Sequence, residues 1–535
     1  MQDNFFRKTK VSSAIITVCL GGLLLSACDT TGEPEKGTLH TVKGFAGLVS
    51  ADEPRAAQVG RELLGNGATA VDTAVAMYFT MSVTMPSRVG LAAGGACSYY
   101  HKEDNEAVAL NFLPQSSPSG GVVPKAPRVM AALHAKYGSV RWQKLVSYGE
   151  NLARFGNPVS RAFSYDLALA NERLGVNAEL LSKFARADGR LPREGDNLTQ
   201  PELSGVLSGL RAQGAGYLYA GPLTRRFAEG STAVGLPLSV DDIRNYIPTM
   251  EKPLSVQVGD DLAHFSGDYS NGALVAAHLI GQLSADDVYA DADPKERAHI
   301  FVEALKRAQA NRGGVISGKL SAQDSLSVEA LEADFSNFDE SRATPVSSLS
   351  YQPVAVSGNP YAAGFAVIDR YNNSVACSFT LNGLFGSGRM AQETGIVLPA
   401  PPRSSVDGID TLISVVVAND PTKFSRYAGT AAGGTVGASA LGMVMADTLL
   451  AGEGLKSSEK SSRLHHSGKP DVVFYEKSSA AELVASLKEK GHDARPAPEF
   501  GRVNSAYCSE SLKFKPETCV AATDNRGYGL SRLAQ

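Results

Sequence analysis

One stretch, residues 359–388, constrains the fold of this chain more than any other. Residues 365–368 form an apolar run, and residues 374–380 alternate between polar and apolar side chains, so both segments are predicted to be strands. The residues between them include turn formers, because Asp and Asn tolerate positive φ and hydrogen-bond their own backbone. Gly386 and Gly388 then break the pattern where the backbone must bend sharply. The stretch therefore predicts a β-hairpin.

The order of residues in this hairpin resembles the start of the small subunit of γ-glutamyltranspeptidases, which belong to the N-terminal-nucleophile hydrolases. The family pattern is Thr-Thr-His-x-Ser-Val-Val-Asp, a short turn, a second strand that ends Thr-x-Asn, and then Phe-Gly-x-Gly. The residues of this chain that stand in register with it are Asp369, Thr380, Leu381, Asn382, Phe385, Gly386 and Gly388.

The resemblance covers nearly all of the chain from Gly44 to the C-terminus. It implies an α/β fold, a four-layer αββα sandwich of the N-terminal-nucleophile hydrolase type. Residues 40–345 are then a large-subunit-like region, and residues 346–535 a small-subunit-like region, of one uncleaved chain. A helix-rich first half and strand hairpins in the second agree with this architecture. The resemblance also implies that Gly433 and Gly434, before a predicted helix, occupy the place of the family's oxyanion hole.

The resemblance fails at the nucleophile. An N-terminal-nucleophile hydrolase uses a Thr, Ser or Cys that frees its own α-amino group by autoproteolysis, and that amine then serves as the base. Ala362 stands where the family has this Thr, and Ala363 and Gly364 follow in place of Thr and His. Because Ala has neither a hydroxyl nor a thiol, we predict no catalytic residue and no self-cleavage by this route.

Both family elements that hold the substrate also differ. Leu113 stands in the place of an Arg that binds the substrate's α-carboxylate in the family, and Leu cannot donate the two parallel hydrogen bonds of a guanidinium. Residues 399–402, Pro-Ala-Pro-Pro, replace a polar segment that binds the α-amino group. Thr411 retains one hydroxyl in a segment whose register is uncertain. The sequence therefore predicts a vestigial site that comprises Leu113, Thr380, Asn382, Gly433 and Gly434.

The N-terminus predicts a lipid-anchored protein. Basic residues precede an apolar run over residues 14–25, and Leu-Ser-Ala-Cys28 closes it, so residues 1–27 are interpreted as a lipoprotein signal peptide. The run is too short for a confident membrane span. Cys28 is the predicted lipidation site, and residues 28–39 form a polar tether. The expected location is the periplasmic face of a bacterial membrane; Asp29 favours the inner membrane, and the outer membrane is the alternative.

Besides the predicted lipidation site Cys28, four cysteines follow the signal segment. Cys508 and Cys519 flank a short polar loop, and in an oxidising periplasm they are predicted to form a disulfide, with two free thiols as the alternative. Cys97 and Cys377 lie in apolar segments and are expected to be small buried residues.

Composition narrows the possible partners. The net charge of −4, without a basic stripe, excludes a nucleic-acid-binding interpretation. No cofactor or metal is predicted: the pair His465 and His466 has no acid or Cys cluster at ligand spacing. Several single histidines without a clustered partner are interpreted as packed or surface residues, namely His40, His101, His134, His264, His278, His299 and His492.

Three functions are compatible with these observations. The favoured one is a catalytically inactive, lipid-anchored binding or scaffold subunit of a membrane-associated complex, with a protein partner in or at the membrane, because function is determined by the site and not the fold. The second is an active γ-glutamyl hydrolase or transferase for glutathione-type substrates with an unrecognised nucleophile. The third is a metabolite-binding lipoprotein whose pocket, lined by Leu113, Pro401 and Pro402, takes a less charged molecule.

Overall fold

The computed structural model describes residues 44–174, 176–267, 271–351, 360–402, 412–510 and 515–535. The signal segment, Cys28, the tether, His40 and Thr411 lie outside the described residues. Among the helices of the described residues, none combines the length and the apolar character that a membrane span requires.

The strands of the described chain are β1 (Gly47–Ala51), β2 (Gly94–His101), β3 (Glu106–Phe112), β4 (Asn157–Pro158), β5 (Asn197–Leu198), β6 (Leu254–Val258), β7 (Asp261–Phe265), β8 (Ala362–Asp369), β9 (Ser374–Thr380), β10 (Arg389–Ala391), β11 (Ile396–Leu398), β12 (Ile413–Asn419), β13 (Phe424–Ala432), β14 (Leu464–His466), β15 (Val473–Glu476), β16 (Ala494–Ala497), β17 (Arg502–Cys508), β18 (Cys519–Thr523) and β19 (Leu530–Ala534).

The α-helices of the described chain are α1 (Pro54–Gly65), α2 (Ala70–Thr84), α3 (Ala126–Tyr137), α4 (Trp142–Phe155), α5 (Arg161–Leu169), α6 (Ala178–Ser182), α7 (Pro201–Gln213), α8 (Gly216–Tyr219), α9 (Pro222–Ala233), α10 (Val240–Arg244), α11 (Asn271–Ser284), α12 (Pro294–Ile316), α13 (Val328–Phe335), α14 (Val436–Met445), α15 (Leu455–Lys460) and α16 (Ala481–Glu489).

Two six-stranded antiparallel sheets form the centre of the molecule. The first has the strand order β19-β1-β8-β9-β2-β3, and the second has the order β18-β17-β13-β12-β7-β6. Each sheet combines strands from the large-subunit-like and the small-subunit-like region. The two regions therefore share both sheets and a common core.

Three apolar clusters separate four layers. One cluster joins the first sheet to the helices of the first half of the chain, and another joins the second sheet to α11, α12 and α14. The third lies between the sheets and includes Leu48, Ile368, Val416 and Ala428. The predicted αββα sandwich is therefore confirmed.

The predicted hairpin is β8 with β9, at the middle of the first sheet. Asp369 organises its turn, because one carboxylate oxygen accepts hydrogen bonds from the amides of Tyr371 and Asn373 at 2.8 and 2.9 Å. Its other oxygen accepts from the amide of Ala70 at 2.8 Å, which ties the turn to the start of α2. Strand β8 begins at Ala362, three residues earlier than the apolar run suggested, because the antiparallel ladder continues to the pair Ala362 and Thr380.

Two disulfides join neighbouring strands. Cys508 and Cys519 are bonded between β17 and β18, as predicted from the sequence. Cys97 and Cys377 are buried, as expected, but they are also bonded to each other, a disulfide that the sequence did not predict. They face each other directly across β2 and β9, a register that brings together positions 280 residues apart in the sequence.

Candidate functional site

The position of the family's nucleophile lies at the start of a central strand of the first sheet. Ala362 is fully buried at the start of β8 and pairs with Thr380 on β9. The Thr380 hydroxyl donates to the carbonyl oxygen of Tyr361 at 2.8 Å and accepts from the amide of Asn382 at 2.9 Å. The Thr380 hydroxyl is therefore buried and hydrogen-bonded to two backbone groups, as is typical of a side chain with a structural role.

The replacement of the family's His by Gly364 has a steric cause. A Cβ atom on Gly364 would lie 2.4 Å from the carbonyl oxygen of Cys377 and 2.9 Å from the side chain of Thr430 on the second sheet. The two sheets approach so closely here that neither His nor any other side chain fits without a shift of backbone.

Asn382 and the proline segment, residues 399–402, are joined by hydrogen bonds just beyond the end of β9. Asn382 adopts a positive φ of 57°, and its side-chain amide donates to the carbonyl of Ala400 at 3.2 Å. The amide of Ala400 donates in turn to the carbonyl of Leu381 at 2.8 Å. These bonds place Pro401 and Pro402 on the β9 side of Ala362.

Leu113 follows the end of β3, three strand positions from β8. Its side chain packs with Ala96 and Leu412, and its carbonyl accepts a hydrogen bond from the Lys125 ammonium at 2.8 Å. Burial lowers the pKa of Lys125 to about 8.

A cavity of about 500 Å³ opens on the opposite side of Ala362, toward β1. Pro360, Asp52 and Gly433 are among the residues that line it, and Leu113, Pro401 and Pro402 are not. This cavity is therefore a different volume from the pocket that Leu113, Pro401 and Pro402 were expected to line. The strand order explains the difference, because β1 and β3 lie on opposite sides of β8.

Gly433 and Gly434 form the turn between β13 and α14. Their φ angles are 143° and 67°, and a Cβ on Gly433 would lie 2.9 Å from the side chain of Val436 and 3.0 Å from Cα of Gly501. Gly433 and Val436 both line the cavity, and no side chain caps the start of α14. A helix start of this kind favours negative charge nearby.

Two arginines that sequence reasoning missed converge on the carbonyl oxygen of Ala362. Arg88 donates to it at 3.4 Å and Arg502 at 3.0 Å, and both line the cavity. Arg88 also forms a two-point ion pair with Asp166, at 2.6 and 2.7 Å. Although burial opposes it, the Asp166 carboxylate raises the pKa of Arg88. No local pattern marks either arginine, because they come from a loop after α2 and from the start of β17.

The partner of Arg502 is Asp52, which lies 3.4 Å from its Nε atom. The other oxygen of Asp52 accepts from the amide of Gly364 at 2.9 Å. Burial, and next the charge of Arg88, lower the pKa of Arg502. A third lining arginine, Arg526, is paired with Glu476 and Asp524 at 2.5 and 2.9 Å.

A separate pair of histidines joins α12, which carries His299, to the segment between α16 and β16, which carries His492, so the interpretation of these two as unclustered is wrong. Their rings are joined by a hydrogen bond of 2.8 Å between Nδ1 of His299 and Nε2 of His492. Within the described chain they form, with Glu303, a buried group of possible metal-ligating side chains. Glu303 is already paired with Lys306 and Arg307 at 3.2 and 2.8 Å, and these two cations oppose the binding of a metal ion.

Comparison of the sequence with models of protein families identifies the class of protein to which this chain belongs. The Gamma-glutamyltranspeptidase family model matches residues 56–120, 113–400 and 409–532, and the chain belongs to this family.

Individual relatives are distant. The chain is 23% identical over 505 residues to Scoloptoxin SSD14 of Scolopendra dehaani, covering 85% of this chain and 87% of the relative. It is 23% identical over 559 residues to the glutathione hydrolase proenzyme of Escherichia coli, covering 93% and 95%. The solved structure of cephalosporin acylase from Bacillus halodurans superposes with a TM-score of 0.76 at 19% identity, over 95% of this chain and 99% of that one, which shows a common fold.

Proposed function

We propose that this protein is a catalytically inactive member of the γ-glutamyltranspeptidase family that acts by binding. The observation that carries the proposal is the environment of Ala362. Ala362 itself has no side-chain nucleophile, and the neighbouring Thr380 hydroxyl is buried and bonded to two backbone groups. Ser374 is no substitute, because it lies at the opposite end of β9.

We further propose that the protein is anchored through a lipidated Cys28 at the periplasmic face of a bacterial membrane and serves there as a subunit of a complex. The disulfides Cys97–Cys377 and Cys508–Cys519 support this location, because structural disulfides persist in oxidising compartments. The cavity beside Ala362 supports a binding role, since it retains charged groups and a volume suited to a small molecule.

The inactivity is tested with the full-length protein purified from membranes. A denaturing gel run under reducing conditions, which open the Cys97–Cys377 disulfide, should show one band of the single chain, and a chromogenic γ-glutamyl anilide should release no product above the blank. Thr380→Val, which lacks the hydroxyl, and Thr380→Ser, which keeps it, serve as a matched pair. Two self-generated fragments, or turnover that Thr380→Val abolishes and Thr380→Ser retains, would show that the family's chemistry persists.

The anchoring is tested by replacing Cys28. The wild-type protein should sediment with membranes and carry an acyl modification at Cys28 by mass spectrometry. The Cys28→Ser variant should lose the acyl group. An unmodified Cys28 in the mature wild-type chain would contradict the proposed anchor.

A further inference from the structure

Arg88 and Arg502, which line the cavity beside Ala362, are neutralised by carboxylates to different extents. Arg88 shares two short contacts with the Asp166 carboxylate, whereas Arg502 has a single longer contact with Asp52. Within the described parts of the chain, Asp52 is the one carboxylate within 4.0 Å of Arg502, and it also serves the amide of Gly364. Arg502 therefore keeps more of its charge unpaired than Arg88 does.

The two arginines also repel each other. Both guanidinium groups reach the same carbonyl oxygen, so their charges lie close together in a site where the Arg88 side chain is only 4% exposed. A carbonyl dipole offsets two full charges only in part. An anion in the cavity would relieve this repulsion and supply the planar acceptor that a guanidinium binds best.

A second source of positive potential reaches the cavity from α14. Gly433 and Val436 line the cavity at the start of this ten-residue helix, which has no side-chain cap. The helix dipole and the arginines therefore act on one volume from different elements of the fold. The lining acid Glu499 is exposed, so solvent screens its charge.

The rim of the cavity is aromatic. Tyr165 and Tyr528 both line it, their ring centroids are 5.5 Å apart, and the two residues are 46% and 42% exposed. Two partly exposed rings at the mouth of a charged cavity offer stacking to a second ring.

We propose that this cavity binds a small molecule that carries a carboxylate and an aromatic ring, with the carboxylate held by Arg502 and the ring against Tyr165 and Tyr528. The inference rests on the proposed binding function and deepens it. The cavity shares Gly433 with the site that the family resemblance implies, but its carboxylate position differs, because Leu113 occupies the position of the family's carboxylate-binding Arg, three strand positions from β8.

The test uses the full-length protein and phenylacetate as the probe in calorimetric titration. Wild-type protein should bind phenylacetate more tightly than acetate or inorganic phosphate. Arg502→Gln should weaken phenylacetate binding by about ten-fold or more, because it removes a charged hydrogen-bond donor. Tyr528→Leu should weaken phenylacetate and leave acetate unchanged. Arg495→Gln, at an exposed pair with Asp493, is the control and should bind like the wild type.

A measurement on the wild-type protein covers the case in which Arg502→Gln fails to fold. Phenylacetate should protect Arg502, and not Arg495, from labelling by phenylglyoxal, as mapped by mass spectrometry. Absence of phenylacetate binding, equal binding by Arg502→Gln, or unprotected Arg502 would overturn the inference. The anilide assay on the same preparation separates the two proposals: turnover refutes inactivity, whereas no turnover with no phenylacetate binding refutes only this site.

Discussion

At the scale of single residues, the departures from the family pattern differ in what explains them. Sequence reasoning identified Ala362 because a missing hydroxyl is visible in the residue itself. The reason for Gly364 was not visible, since it depends on Thr430 of the other sheet and on the carbonyl of the neighbouring strand. Arg88 and Arg502 were missed for the same reason, because only the folded chain brings them to one oxygen atom.

The contact at Gly364 predicts a large stability cost for a single methyl group. Gly364→Ala should lower the free energy of unfolding by about 1–3 kcal/mol, because the added Cβ meets backbone that cannot move aside. Gly205→Ala is the matched control: Gly205 lies in α7 with open space around its Cβ position, and it should gain up to about 1 kcal/mol. Chemical denaturation measures both, and equal stabilities of the two variants would contradict the steric explanation.

At the scale of elements, the hairpin of β8 and β9 shows what a local pattern can establish. Its strands, turn and central Asp369 were predicted because they depend on residues close in sequence. The disulfide between β2 and β9 and the pair His299 with His492 were not, because each joins segments about 200 or more residues apart. Spacing alone carries no signal for contacts of this range.

Thr380 is expected to stabilise this hairpin rather than to react. Thr380→Val should lower the free energy of unfolding by about 1–3 kcal/mol, because it leaves the Tyr361 carbonyl and the Asn382 amide without their buried partner. Thr380→Ser keeps the hydroxyl and should cost less. Thermal and denaturant unfolding compare them, and a Val variant as stable as the Ser variant would show that these hydrogen bonds contribute little.

At the scale of the whole molecule, the fold is the part that the sequence predicted best. The αββα layers follow from a resemblance spread over nearly the entire chain, so errors at single positions do not alter them. The location of the cavity was not predicted, because it depends on which strand adjoins which: β1, and not β3, lies beside β8.

The two disulfides should contribute unequally to global stability. Cys97–Cys377 closes a loop of 280 residues and Cys508–Cys519 one of 11, so chain entropy predicts roughly 5–6 and 3 kcal/mol. Denaturant unfolding of Cys97→Ala/Cys377→Ala should therefore show a larger loss than Cys508→Ala/Cys519→Ala. The reverse order would mean that the loop entropy of the unfolded chain does not determine how much each disulfide stabilises the protein.

Buried histidines predict that acid destabilises the protein. Burial lowers the pKa to about 4 for His264, His278 and His466 and to about 3 for His465 and His492. The unfolded chain, with histidine pKa values of about 6.5, then binds more protons, so stability falls as the pH drops from about 6.5 to 4. Burial also raises the pKa of Asp369 to about 6 and that of Glu459 to about 8, which opposes this trend, but the five histidines outnumber these two carboxyl groups.

Melting temperatures between pH 7 and pH 4 measure this effect. The wild-type protein should lose unfolding free energy between pH 7 and pH 4. His278→Gln should reduce this loss by up to about 3 kcal/mol, because it removes one site at which the unfolded chain binds a proton. His101→Gln, at a surface pair with Asp104, is the control and should follow the wild-type curve. A wild-type melting temperature that is constant across this range would contradict the prediction.

The interleaving of strands has a practical consequence for how this protein must be handled. Since β1, β2, β3, β6 and β7 share both sheets with strands from beyond residue 345, a peptide bond broken between residues 351 and 360 would leave two pieces that hold each other in shape. Such a nicked molecule would migrate as one particle in gel filtration and melt as one unit. Because the Cys97–Cys377 disulfide also joins the two pieces, only separation under reducing and denaturing conditions distinguishes an intact backbone from two fragments.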